Sequence, residues 1–136
     1  MSTSIATAVA VAALSAGGME EPACPAKNFA DFAIAFSNSV DIQRQWTQDS
    51  VRIVHRVYPN SDDGNNTEET VSVAERKTLS FPLIPTFKEL TSLNSSVQIS
   101  SRKIVHGGDG GWSKNYIFDN TPNGCWKLSS IEESDF

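Results

Sequence analysis

Two runs near the end of the chain alternate side by side with a turn between them. Trp112-Ser113-Lys114-Asn115-Tyr116-Ile117-Phe118 is followed by Asn120-Thr121-Pro122-Asn123-Gly124 and then by Cys125-Trp126-Lys127-Leu128-Ser129-Ser130-Ile131. Trp112, Tyr116 and Phe118 share one phase of a two-residue repeat, and Trp126 and Leu128 share one phase of the next. A cluster of turn formers between two alternating runs is a β-hairpin signal, with a loop longer than two residues. Two tryptophans and two further aromatics gathered here offer a broad apolar face, onto which other elements are expected to pack.

A chain of 136 residues fits one domain with a core of its own. Its net charge of -5 excludes ordinary phosphate-backbone recognition, which needs clustered cations. Arg52, Arg56, Arg76, Lys77, Arg102 and Lys103 are instead scattered in pairs. No nucleic-acid partner is expected.

Residues 1–23 differ from the rest. The run Ile5 to Leu14 has the length of a signal-peptide apolar core, and the small residues Ser15-Ala16-Gly17-Gly18 follow it. It is too short to span a bilayer. The expectation is a secretory leader, with an Ala-rich disordered or helical leader as the other reading, and one domain over 24–136. Glu21-Pro22-Ala23 before Cys24 is not a lipidation box. In a periplasmic or secreted protein, the two cysteines, Cys24 and Cys125, are most simply a disulfide. Two reduced thiols remain the alternative. No Cys–His spacing suggests zinc, so neither a metal nor a cofactor is expected.

Along the chain, Asn28 is placed to cap a helix whose stripe is Phe29, Phe32, Ala33, Phe36 and Val40. Ser37-Asn38-Ser39 weakens it, and Asp41–Thr47 reads as a second short helix offering Ile42 and Trp46. Ser50–Tyr58 alternates like a strand and stops at Pro59. A polar loop, Asn60–Glu69, leads to a returning strand over Val71–Leu83, with Val71, Val73, Leu79, Phe81 and Leu83 on one phase. Glu75 and Lys77 break that phase, as at a bulge or an exposed middle. Thr86-Phe87-Lys88-Glu89 has the capping-box pattern and opens a helix ending at Asn94. Val97–His106 reads as one strand, and Gly107–Gly111 as a hairpin loop into the aromatic pair.

The phenylalanine-rich opening helix, the Trp-x3-Tyr-x-Phe strand and the Gly-Cys-Trp-x-Leu-x-x-Ile-Glu strand resemble the NTF2-like superfamily, over about Asn28–Glu133. The small exported bacterial families of unknown function within it are the nearest in character. The resemblance implies an α+β fold: an N-terminal amphipathic helix on a curved antiparallel sheet of about five strands, forming a cone around a pocket. It implies no particular reaction, since enzymes and binding modules share the fold.

Candidate chemistry is sparse. His55 lies on the apolar phase of its strand, where a histidine can serve as a base near neutral pH; Asp31 is a second candidate base. Tyr58, Tyr116 and Trp112, with His55, are the candidate ligand-binding residues. His106-Gly107-Gly108-Asp109 reads as a plain turn rather than a metal or catalytic one. The polar loop fails the calcium-binding register. The expectation is an exported, non-catalytic binding protein, whose partner is a small apolar ligand or another protein, as for an immunity or inhibitor protein. The alternative is a small isomerase or dehydratase using His55 or Asp31. A third reading is a homodimer built through the sheet face.

Overall fold

The computed structural model describes residues 22–58, 67–92 and 94–135. The leader and most of the polar loop after Pro59 lie outside the described residues.

Asn28 caps helix α1 (Phe29–Asn38), its side chain accepting the Asp31 N–H at 2.9 Å. Phe29, Phe32, Ala33 and Phe36 are buried, as the stripe requires, whereas its fifth member, Val40, lies beyond the helix end and is half-buried. Ser39 then caps α2 (Val40–Gln45) by accepting from Ile42 N–H. This second helix stops short of Thr47. The Trp46 carbonyl is taken by Leu128 N–H at 2.8 Å, and Thr47 pairs with Leu128. A sheet partner thus claims the chain before the helix can continue.

Among the described residues six strands follow: β1 (Thr47–Val57), β2 (Glu68–Glu75), β3 (Ser95–Ile99), β4 (Lys103–Gly108), β5 (Trp112–Asn120) and β6 (Trp126–Asp135). They form one sheet in the order β2-β1-β6-β5-β4-β3. All neighbours are antiparallel except β1 and β6, which run parallel. The fold is α+β with a mixed sheet, where about five antiparallel strands were expected. The extra strand arises at Ser100-Ser101-Arg102. There Ser100 N–H donates to Lys103 O at 2.9 Å, folding the expected strand Val97–His106 into two. The parallel pair joins the first hairpin to the final meander, a contact that no local pattern announces.

The returning strand also ends early. A 3-10 turn (Arg76–Thr78) follows β2, closed by Leu79 N–H on Arg76 O, at the place where Glu75 and Lys77 break the alternation. Val71 and Val73 are 48% and 69% exposed rather than core-facing. Their register partners are Val54 and Arg52, which look away from the helices. On that outer face Arg56 reaches Glu69 at 2.7 Å and Glu132 at 3.3 Å, over the fully buried Val54.

The core lies on the other face. Phe118 meets the rings of Phe29, Phe32 and Phe36 at centroid distances of 5.2, 5.7 and 5.1 Å, mostly edge to face. Trp126 and Trp46 close the cluster. The pair Cys24–Cys125 is a disulfide, so the reading of two free thiols falls away. Among the described residues no helix is long and apolar enough to cross a membrane.

Between the 3-10 turn and α3 (Phe87–Leu90), residues 79–86 lie as a strap over the sheet, with a cis Phe81–Pro82 bond. The capping box Thr86/Glu89 forms as expected, but α3 is a single turn ending at Leu90 rather than at Asn94. Fully buried Gln43 of α2 holds the strap. Its Oε1 accepts from Leu83 N–H at 2.7 Å and Ile84 N–H at 3.4 Å, and its Nε2 donates to Ile84 O at 3.3 Å.

Candidate functional site: a cavity under the strap

Strand register sets the inner face of the sheet in cross-strand rows. One row is Ile53, Ile131, Tyr116, Ile104 and Ile99; the next is His55, Glu133, Lys114, His106 and Val97; the third is Val57, Asp135, Trp112, Gly108 and Ser95. The first row is apolar but for the Tyr116 hydroxyl. The second is almost wholly titratable. The first row joins the core cluster, and the strap roofs the part of the rows around Tyr116, Lys114 and His106.

Between strap and sheet is a cavity of about 370 Å³, walled by Pro82, Leu83, Ile84 and Pro85 above and by His106, Trp112, Lys114, Tyr116 and Glu133 below. A largely apolar concavity with a few convergent polar groups is the ordinary form of a small-ligand site. Lys114 Nζ is 3.1 Å from Glu133 Oε2 and 5.8 Å from the centroid of the Tyr116 ring. The Tyr116 hydroxyl donates to Leu83 O at 3.4 Å, linking the floor to the strap. Burial, and then the Glu133 carboxylate, raise the Tyr116 pKa well above its ordinary value, so the phenol stays neutral.

His106 is the most unusual member. It is 7% exposed, and its Nε2 has no hydrogen-bond partner. Its ring stands edge to face on Trp112, with centroids 4.9 Å apart. Trp112 in turn lies flat on Gly108, where a Cβ would come within 2.7 Å of the indole. Only glycine at 108 lets the indole rest there, so the turn reading of His106-Gly107-Gly108-Asp109 gives way to a strand. The turn itself is Asp109-Gly110-Gly111, with positive φ at both glycines.

Burial first, and Lys114 second, lower the pKa of His106 below the usual histidine value. The unfolded chain therefore takes up this proton at a higher pH than the native protein does. The associated stability is complete above about pH 6.5 and is lost as the pH falls through that value toward the native pKa. Urea midpoints measured between about pH 7.5 and 5 should fall less steeply for His106→Gln than for the parent. Parallel pH profiles would overturn the assignment.

The sequence candidates are distributed as follows. Trp112 and Tyr116 share the cavity. His55 is on the same row as His106, two strands and the Lys114–Glu133 pair away, and its Nε2 meets Asp135 Oδ2 at 2.9 Å with 44% of the side chain exposed. Tyr58 follows β1, its N–H on Asp135 O at 2.8 Å. Asp31 is on the exposed first turn of α1, held by Asn28 Nδ2 at 3.1 Å. His106, Lys114 and Glu133 were not singled out as site residues by the sequence. Lys114 carried a usable signal, because it occupies the same alternating phase as Trp112 and Tyr116. Among the described residues no group of three or more His, Cys, Asp or Glu side chains is placed to hold a metal ion. Comparison of the chain with protein-family models, curated proteins and solved structures finds no match.

Proposed function

We propose that this is an exported binding protein of NTF2-like type, which holds a small, mostly apolar molecule under the strap without reacting with it. The observation that carries the reading is the unpartnered, buried His106 Nε2 beside a cavity walled by proline, leucine, isoleucine and aromatic side chains. An orphaned buried nitrogen costs stability unless something else repays it, and a ligand hydroxyl or carbonyl would do so. The sheet order, with helices and strap on one face, is compatible with a cone. The disulfide is consistent with an oxidising compartment. Lys114 and Glu133 neutralise each other, which favours recognition of a neutral molecule over turnover.

The test is a thermal-stability screen against small apolar compounds bearing one hydroxyl or carbonyl. A true ligand at a hundred times its Kd should add about 2.7 kcal/mol. Gly108→Ala, which displaces the indole, should abolish that gain while the variant still unfolds cooperatively. A panel with no stabilising member, or hits that are indifferent to Gly108→Ala, would overturn the proposal.

A further inference from the structure

A second site lies outside the cavity, where α2, the 3-10 turn and the start of the strap converge. Arg44, Arg76 and Lys77 line a hollow of about 180 Å³, floored by Leu79 and Phe81. None of these five residues is acidic, in a chain whose net charge is -5. Two of the cations are held in place before any ligand arrives. The Arg44 guanidinium is 5.5 Å from the centroid of the Phe81 ring, a cation–π contact. Arg76 is anchored from behind, donating to Thr47 O at 3.0 Å.

The neighbouring carboxylates do not close the hollow. Asp41 stands 3.8 Å from Arg44, Asp49 pairs with Arg76 and Glu75 stands 3.4 Å from Lys77, with side chains 89%, 90% and 62% exposed. Ion pairs this exposed are worth little and are screened by salt, so the cations remain available to a better-placed anion. A guanidinium presents paired donors that match two oxygens of a carboxylate or phosphate. Phe81 and half-buried Leu79 offer an apolar surface beside them, which inorganic ions would leave unused.

We infer that Arg44, Arg76 and Lys77 form a binding site for a compact oxyanion carried on an apolar stem, such as an aryl phosphate or aryl carboxylate. The inference does not rest on the cavity under the strap.

The experiment is a calorimetric and amide-NMR titration of the disulfide-bonded protein at low salt. The probes are phenyl phosphate, benzoate, inorganic phosphate and, as neutral control, benzyl alcohol. Phenyl phosphate or benzoate should saturate the site, move the amide signals of residues 76–81, and weaken as salt is added. Arg44→Gln and Lys77→Gln, both at exposed positions, should each lower the affinity by about tenfold with the unfolding midpoint unchanged. Gly108→Ala should leave this binding intact, which separates it from the cavity reading. Binding no tighter than benzyl alcohol, or unaffected by Arg44→Gln, would overturn the site. Inorganic phosphate binding as tightly as phenyl phosphate would overturn the apolar stem.

Discussion

Replacing Cys24 and Cys125 together, by serine and alanine, should lower the unfolding free energy by about 4–5 kcal/mol. The bond closes a loop with a sequence separation of 101, so its main effect is to restrict the unfolded chain. It has a native role as well. Cys125 is fully buried in the β5–β6 turn, which is itself held by Thr121 N–H on Cys125 O at 2.8 Å and Cys125 N–H on Thr121 Oγ1 at 3.0 Å. The segment leading into α1 is therefore tied to the strand that carries Trp126. Phe29 sits 5.6 Å from that indole as a result. Urea unfolding with and without reductant, beside the double variant, measures the effect. Equal midpoints for oxidised, reduced and substituted forms would show that the packing of α1 alone fixes this end.

The second large effect is expected at Gln43. Gln43→Leu keeps most of the volume but strands the Leu83 and Ile84 N–H groups and the Ile84 carbonyl, all of which now bond to one amide. Leaving such a group unsatisfied costs about 1–3 kcal/mol when fully buried. With Leu83 only partly buried and the Ile84 N–H bond long at 3.4 Å, the loss for the three together is expected at the low end of their sum, roughly 3–5 kcal/mol. A strap that swings into water to recover its bonds would show a smaller loss, with faster amide exchange at Leu83 and Ile84. Unchanged stability together with unchanged exchange would refute the clamp. Either form of damage reaches the cavity, because Leu83 and Ile84 are its roof.

The closing hairpin was readable because alternation and turn chemistry are local. The same holds for the α1 stripe, the Asn28 and Thr86 caps and the break near Glu75. What escaped was decided by partners far away in sequence. Val71 and Val73 alternate like core residues, yet they face outward because Val54 and Arg52 are their neighbours across β1. The first half of the strap looks like the end of the returning strand Val71–Leu83, since nothing local reveals that Gln43, some forty positions earlier, holds its backbone. The glycines after His106 look like the start of a loop, so the strand seems to end at His106. Only the β4–β5 register, opposing Gly108 to Trp112, turns those glycines into strand positions. Lys114 was hidden by its chemistry rather than its position: a charge among aromatics looks like an interruption until Glu133 is seen opposite.

The parallel seam has a consequence for how such a chain is made. β6 has a local partner in β5, but its other edge pairs with distant β1, so it completes the middle of the sheet between β1 on one side and the β5-β4-β3 meander on the other. During synthesis, which proceeds from the N-terminus, a nascent chain lacking β6 carries β1–β2 and the meander as two unjoined pieces. Each piece presents an open hydrogen-bonding edge. Because long-range pairing of this kind forms slowly, the interval before β6 docks is the time at which newly made molecules are most exposed to pairing with one another.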